Sequence, residues 1–214
     1  MKGRVLVVAG SDSGGGAGIQ ADIKAITALG AYAATAITAL TAQNTLGVQG
    51  VLPVPAAFLR RQVESVLTDL GADTVKTGML GDAETVALVA DLLQEFAPGV
   101  PLVLDPVMVA KGGARLLDAG AVDALRRRLL PLAALVTPNV PEAEALTGLE
   151  IADLDAMRRA ADALLAQGMA PRDAVGRARD YVQAAIATAP GYGAGHGPLD
   201  HAVTVDVSRI GWPG

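Results

Sequence analysis

Residues 100–113 combine an acidic side chain with a basic, glycine-rich turn, a pairing that suits metal and phosphate chemistry. The apolar residues Leu102–Leu104 predict a short strand buried on both faces, and Pro106 predicts that the chain then leaves the sheet. Asp105 follows that strand at its carboxyl end, where open α/β sheets bind their ligands. Lys111 opens the flexible Lys-Gly-Gly turn. Taken alone, Asp105 is more often a helix cap or a solvated aspartate than a catalytic residue.

Further polar side chains follow, or lie just beyond, other predicted strand ends. They are Asp22, early in the first predicted helix, the pair Gln43 and Asn44, and the pair Asn139 and Glu142. Each has a plainer explanation when taken alone, because first-turn acids stabilise helix dipoles and Gln-Asn pairs are common in turns. Because carboxyl ends of parallel strands share one edge of a sheet, we expect these side chains to converge with the central aspartate.

The segment 10–18 is rich in glycine and leads into a helix. No Gly-Lys-Ser/Thr follows it, and the Gly-x-Gly-x-x-Gly spacing fails at Ile19, so it matches neither nucleotide-binding loop. Its backbone is nevertheless free to approach a ligand at a helix N-terminus. We therefore expect a ligand-contacting turn and only a weak phosphate cradle.

Strands and helices alternate along most of the chain, which predicts a parallel sheet covered by helices on both faces. The predicted strands are Arg4–Ala9, Ala31–Leu40, Val48–Val54, Thr74–Thr77, Leu102–Leu104 and Ala134–Thr137, with a polar turn at Thr41–Gly47. The predicted helices run from the glycine-rich loop to about Leu29 and over Pro55–Leu70, from Asp82 to about Phe96, and over Asp118–Leu130, Glu142–Leu146, Asp153–Gln167 and Arg172–Thr188. The alternation fails near Ala170 and Pro171, where one predicted helix follows another without a strand.

Composition limits the partners of the chain. The 214 residues suit one α/β domain, and a net charge of −5 argues against nucleic acid as the main partner. Absence of cysteine excludes disulfides and thiolate metal sites and fits a cytoplasmic location. The N-terminal apolar run is too short for a signal peptide. Ala25–Leu59 carries no charge but is divided by threonine, glycine and proline, so we expect buried strands and a homodimer face rather than a membrane span.

Five segments carry a resemblance to a known family. Ala9–Lys24, Ala-Gly-Ser-Asp-Ser-Gly-Gly-Gly-Ala-Gly-Ile-Gln-Ala-Asp-Ile-Lys, resembles the opening of the hydroxymethylpyrimidine/phosphomethylpyrimidine kinases of thiamin biosynthesis, members of the ribokinase-like superfamily. Similar family segments follow in the same order at 38–45, 76–80, 105–111 and 137–144, and the resemblance resumes over 172–201. Residues 204–214 match nothing in the family. The resemblance implies a single ribokinase-like domain with an αβα three-layer fold and a mostly parallel central sheet.

The resemblance also implies a pocket for the pyrimidine. Asp22 and Gln43 would bind the aminopyrimidine edge, since a carboxylate accepts from a ring amino group while a carboxamide donates and accepts beside it. Gly10, Met79 and Val107 would line this pocket.

The same family resemblance implies which residues carry out phosphoryl transfer. Asp105 and Glu142, with Asn139 nearby, would hold Mg²⁺ together with the phosphates of ATP, because two carboxylates suffice for an ion that keeps most of its waters. We assign Asp105 and Lys111 to the catalytic step, which needs charge neutralisation and alignment more than covalent help.

The implied function is ATP-dependent phosphorylation of 4-amino-5-hydroxymethyl-2-methylpyrimidine and its monophosphate. One family block is absent, however: a strand with a Lys-Gly-Gly turn and a Gly-Thr-Gly-Cys loop that forms the anion hole. Its place falls at Ala170–Pro171, so we predict that these residues are not neighbours in the intact protein. A true deletion would leave a catalytically impaired pyrimidine-binding protein, and pyridoxine or pyridoxal kinase is the alternative activity.

Overall fold

The computed structural model describes residues 3–109, 119–152, 183–184, 186–195, 199–200 and 202. Within these residues, five parallel strands form one sheet in the order β2-β1-β5-β6-β7, and β3 pairs with β4 in a separate antiparallel ribbon. The strands are β1 (Arg4–Ala9), β2 (Tyr32–Ile37), β3 (Ala39–Asn44), β4 (Gly47–Pro53), β5 (Thr74–Thr77), β6 (Leu102–Leu104) and β7 (Ala133–Val136). The predicted parallel sheet is confirmed.

Helices cover both faces of the sheet because side chains of a strand alternate between faces. On one face, Leu6 and Val8 of β1 pack with apolar residues of α2, α3 and α4 in the main core. On the other face, Val7 and Ala9 pack with Ile19 of α1. The helices are α1 (Gly18–Ala28), α2 (Ala56–Asp69), α3 (Ala83–Phe96), α4 (Ala119–Ala124) and α5 (Val140–Thr147). This arrangement gives the expected αβα layers.

The prediction of a long strand at Ala31–Leu40 followed by a polar turn at Thr41–Gly47 was wrong. The chain instead breaks between β2 and β3, and Gln43 and Asn44 lie on the second of these strands. They are in strand because β3 pairs with β4 along its whole length, despite one register shift between Ala42 and Gln43, and only Thr45 and Leu46 are left as the turn. A side-chain oxygen of Asn44 accepts a hydrogen bond from the Leu46 amide at 2.9 Å, a short-range contact typical of tight turns.

The helix predicted over Asp118–Leu130 is described from Ala119 and changes its winding part-way. A π-helical turn over Leu125–Leu129 follows α4 and leads into a 3₁₀ turn over Leu130–Leu132. The helix predicted at Glu142–Leu146 begins earlier and ends one residue later than expected. No helix among the described residues is long and apolar enough to cross a membrane.

The Ala170–Pro171 join and the helix predicted at Asp153–Gln167 lie outside the described residues. Of the helix predicted at Arg172–Thr188, only residues 183–184 and 186–188 are described, and 183–184 and 186–187 are helical.

Candidate active site

A cavity of about 410 Å³ opens at the carboxyl end of the parallel strands. Its walls come from the ends of β1, β5 and β6, the start of α1 and the β3–β4 ribbon. The structure thus brings together six of the residues named from the sequence: Gly10, Asp22, Gln43, Met79, Asp105 and Val107. Three of the four polar features expected to converge thus line one cavity: Asp22, the pair Gln43 and Asn44, and Asp105.

The glycine-rich loop at the start of α1 is held by an internal carboxylate. Asp12 is 5% exposed, and its two oxygens accept hydrogen bonds from the amides of Gly14, Gly16 and Ala17 at 2.8, 3.0 and 2.8 Å. Two of these amides lie in the loop and the third belongs to Ala17, the N-cap of α1, so the Asp12 carboxylate fixes the loop backbone and not the first turn of the helix. The loop forms a wall of the cavity.

The same loop comes close to the end of β1. The amide of Ile19 donates to the carbonyl of Gly10 at 3.0 Å, and Gly18 has a positive φ of 55°. A Cβ at position 18 would lie 2.5 Å from that carbonyl oxygen, which no side chain tolerates. Only glycine at position 18 lets α1 start directly against the cavity.

Asp22 and Asp105 both form ion pairs with Lys76, a residue to which the sequence assigned no role. Lys76 Nζ lies 3.0 Å from Asp22 Oδ2 and 3.3 Å from Asp105 Oδ2. Burial raises the pKa of Asp105, the positive charge of Lys76 opposes that rise, and the negative charge of Asp22 adds to it. The alternation of Val75, Lys76 and Thr77 on β5 could have signalled a polar residue facing α1, because Val75 and Thr77 face the opposite side.

Gln43 reaches the cavity from the ribbon, where a hydroxyl from the glycine-rich loop fixes its backbone. The Gln43 amide donates a hydrogen bond to Ser13 Oγ at 2.8 Å, and Ser13 Oγ donates to the Gln43 carbonyl at 2.8 Å. The ladder between the two strands also shifts register between Ala42 and Gln43. These hydrogen bonds join the ribbon and the loop into one wall, in which the Gln43 side chain accepts from the Thr41 hydroxyl at 3.4 Å.

Asn139 and Glu142 do not line the cavity. They form a capping box at the start of α5, in which Asn139 Oδ1 accepts from the Glu142 amide at 3.0 Å and Glu142 Oε2 accepts from the Asn139 amide at 3.0 Å. Glu142 Oε1 also accepts from the amide of Met108 at 3.3 Å. The buried Glu142 carboxylate thus ties α5 to the turn that follows Asp105. Lys111 lies outside the described residues.

The side chains at the cavity fit Mg²⁺ only in company with a nucleotide. Among the described residues, no group of three or more histidine, cysteine, aspartate or glutamate side chains is placed to hold a metal ion. Asp105 offers one hard carboxylate, and it shares that group with Lys76. Mg²⁺ commonly binds through one or two carboxylates plus substrate phosphates, so this donor set fits a metal that arrives with phosphates.

The parallel αβα sheet with a polar cavity at its carboxyl edge is shared with phosphomethylpyrimidine and pyridoxal kinases of known structure, and the chain has the ribokinase-like fold. The family model described as phosphomethylpyrimidine kinase matches residues 12–169, and the chain belongs to that family. The hydroxymethylpyrimidine/phosphomethylpyrimidine kinase of Haemophilus influenzae is 54% identical over 165 residues, which cover 77% of this chain and 61% of that protein.

Solved structures agree with this assignment. The phosphomethylpyrimidine kinase of Clostridium difficile 630 superposes with a TM-score of 0.72 and 41% identity, covering 79% of this chain and 75% of that one. The pyridoxal kinase of Staphylococcus aureus in complex with pyridoxal has a TM-score of 0.84 at 27% identity, covering 95% of each chain.

The matched relatives are longer than this chain. The thiamine biosynthesis bifunctional protein ThiED of Geobacter sulfurreducens is 44% identical over 265 positions that include 97% of this chain and 54% of that protein. An alignment of 265 positions with a 214-residue chain leaves at least 51 positions of the relative without a counterpart here. The chain spans about half to three fifths of the length of these curated relatives.

Proposed function

We propose that this protein phosphorylates hydroxymethylpyrimidine and its monophosphate with ATP, a step of thiamin biosynthesis. The observation that carries the proposal is one cavity that holds Asp22, Gln43 and Asp105 together at the carboxyl edge of the sheet. Family membership supports it, since the relatives with about half of their residues identical carry that activity in their names.

In this proposal the aminopyrimidine ring binds between α1 and the β3–β4 ribbon. Asp22 Oδ2 accepts from Lys76, so Oδ1 is the oxygen we assign to the ring amino group. The Gln43 carboxamide supplies a donor and an acceptor to the ring nitrogens beside it. Met79 and Val107 give apolar surface against the ring, and Gly10 leaves room for it.

Phosphoryl transfer is assigned to the neighbouring part of the cavity, around Asp105. Mg²⁺, when bound with ATP, would neutralise charge on the transferred phosphoryl group. Asp105 would hold that ion, while Glu142, itself held by Asn139, fixes the turn after Asp105 by accepting from the Met108 amide. The catalytic role of Lys111 remains a prediction from the sequence.

The first experiment measures binding and turnover separately in three variants. We expect calorimetry to show hydroxymethylpyrimidine binding to the wild type, and Asp22→Asn to weaken it at least tenfold because the site then leaves a polar partner unpaired. Asp105→Asn should instead reduce turnover in a coupled ATPase assay while leaving pyrimidine affinity within threefold. Asp91→Asn, on the exposed side of α3, is the matched control and should change neither. Absence of pyrimidine binding by the wild type would refute the proposal.

Pyridoxal kinase activity is the second candidate. The favouring observation is the superposition with the Staphylococcus aureus pyridoxal kinase, which extends over 95% of both chains. Titration of pyridoxal under the same conditions separates the two. Tighter binding of pyridoxal than of the pyrimidine would replace the first proposal by this one.

Whether turnover accompanies binding depends on the family block absent at Ala170–Pro171. Loss of one preorganised oxyanion donor typically costs about 10²–10³ in turnover, and loss of a whole loop should cost more. We expect the intact protein expressed from its own gene to have a mass above 21.6 kDa and to turn over its substrate. A mass of 21.6 kDa, with pyrimidine binding but no turnover, would identify a pyrimidine-binding protein instead.

We further propose that the protein acts as a homodimer in the cytoplasm, where ATP is supplied. The β3–β4 ribbon exposes a run of large apolar side chains, with Leu46 at 70% and Leu52 at 65% exposure. Patches of this kind commonly mark protein interfaces. Leu52→Arg should shift the mass measured by light scattering from dimer to monomer, whereas Leu70→Arg, outside the ribbon, should not. A monomeric wild type would refute the dimer.

A further inference from the structure

Lys76 occupies the centre of the candidate site. It lies on β5, the middle strand of the sheet, where it pairs in register with Val7 of β1 and Val103 of β6. Its ammonium contacts one carboxylate from α1, at Asp22, and one from the end of β6, at Asp105. One cation thus joins two elements that are distant in sequence and that are expected to serve different ligands.

The surroundings of Lys76 are shaped to keep this arrangement. Its side chain is 21% exposed, as is that of Asp22, so the pair is shielded from bulk water on most sides. Gly78 makes room for the ammonium: a Cβ there would lie 3.3 Å from Lys76 Nζ and 3.0 Å from the Cβ of Ala9. A side chain at position 78 would therefore crowd the ammonium, which would have to shift by a few tenths of an ångström.

We infer that Lys76 is a positioning residue and the internal counter-ion of the site. It holds the Asp22 carboxylate in the orientation that binds the pyrimidine, and it lowers the affinity of the Asp22–Asp105 pair for free divalent cations. The first half rests on the proposed function, because it takes the pyrimidine as the ligand of Asp22. The second half depends only on the geometry of the three charges.

Since both carboxylate oxygens lie within hydrogen-bond reach of one ammonium, the two negative charges are close together and would repel each other without it. A free divalent ion would have to displace the ammonium from the oxygens it needs. A metal bound to nucleotide brings phosphate ligands of its own and needs fewer protein oxygens. The lysine thus favours loading of the metal together with the nucleotide.

The first test needs no substrate. Mn²⁺ is titrated by calorimetry into the wild type and Lys76→Met, with Lys76→Arg as the charge-conserving variant. Arg60→Met, which removes an exposed cation paired with Glu95, is the control. We expect Lys76→Met to bind Mn²⁺ at least tenfold more tightly than the wild type, and the other two variants to match the wild type within threefold. Equal Mn²⁺ affinity of Lys76→Met and the wild type would overturn the inference.

The second test asks whether Lys76 acts on the pyrimidine through Asp22. In a double-mutant cycle, Lys76→Met and Asp22→Asn should each weaken hydroxymethylpyrimidine binding at least tenfold, and the double variant should bind no more weakly than the weaker single variant. If the loss of affinity in the double variant is instead the product of the two single losses, Lys76 acts independently of Asp22, and its positioning role is overturned. Lys76→Arg should restore binding to within threefold of the wild type.

The two tests also separate the inference from the proposed function. If the wild type binds no pyrimidine, the proposed function fails, while the Mn²⁺ comparison still decides the counter-ion role. Thermal unfolding of every variant is measured first. If Lys76→Met does not fold, Lys76→Gln replaces it, because the amide keeps a donor for one carboxylate but carries no charge.

Discussion

The buried carboxylate of Asp12 should be one of the largest single contributors to the stability of the site. It accepts three backbone hydrogen bonds, and Ala17, at the N-cap position of α1, has no side-chain acceptor of its own. Asp12→Ala therefore removes the acceptor of two loop amides, at Gly14 and Gly16, and of the N-cap amide at Ala17. A hydrogen bond to a charged group contributes about 1.5–3 kcal/mol, and most when water cannot reach the donor in its absence.

The donors here are not dry, which lowers that figure. Gly14, Gly16 and Ala17 are exposed, so water can replace the carboxylate at each amide. We take about 1 kcal/mol for each of the three bonds and expect Asp12→Ala to lower the free energy of unfolding by about 2–3 kcal/mol. Asp12→Asn keeps one acceptor oxygen and should lose roughly half of this amount.

Asp82 provides the matched control. It is the N-cap of α3 and accepts one backbone hydrogen bond, from Thr85 at 2.7 Å. Asp82→Ala should cost about 1 kcal/mol, the usual value for an N-cap. Urea unfolding of both variants measures the difference. If Asp12→Ala costs no more than Asp82→Ala, the loop is not held by its carboxylate and the account of this wall of the cavity is refuted.

Three further outcomes are expected. Thr77→Val should raise the free energy of unfolding by up to about 1 kcal/mol, because the buried Thr77 hydroxyl has no hydrogen-bond partner in the described structure. Thr38→Val removes a 2.7 Å hydrogen bond to the Met79 carbonyl and should lower that free energy by about 1–3 kcal/mol. If urea unfolding shows both variants stabilised or both destabilised, this expectation is contradicted. Burial raises the pKa of Asp105, so its negative charge is unfavourable in the folded protein at pH 7. Asp105→Asn removes that charge and should raise the melting temperature at pH 7. An unchanged or lower melting temperature would show that burial of the charge does not destabilise the fold. The Arg4 guanidinium lowers the pKa of Asp73 to about 2, so the stabilisation from this ion pair is complete above the ordinary pKa of 3.8 and is lost as the pH falls towards 2. The difference in the free energy of unfolding between the wild type and Asp73→Asn should therefore shrink over that pH range. A difference that stays constant would exclude the Arg4–Asp73 pair as the cause.

The central strand shows what sequence reasoning does well. Leu102–Leu104 is wholly apolar and is followed by Asp105 and Pro106, so both the strand and its end follow from local chemistry. The order of the five strands in the sheet does not follow in this way. It depends on which strands pack side by side, and only the position of β5 between β1 and β6 shows that Lys76 reaches both acids.

The β3–β4 ribbon shows where the sequence misleads. Gln43 and Asn44 are polar residues with weak strand preference, and their strand structure comes from pairing with β4 rather than from their own propensity. Glu142 is a similar case. Its spacing from Asn139 fits a metal-ligand pair and a capping box equally well, and the described structure uses it as the capping box.

The described cavity also suggests that recognition and turnover are separable in this chain. Its walls come from β1, α1, the β3–β4 ribbon, β5 and the turn after β6, all before residue 110. Lys111, assigned to the catalytic step, and the Ala170–Pro171 join, where the anion-hole block would fall, both lie later in the chain. Because a carboxylate, a carboxamide and apolar side chains are already fixed in place by the sheet and by Asp12, binding of the pyrimidine should not require the absent block. Turnover should require it, so affinity and rate are the two quantities that must be measured independently.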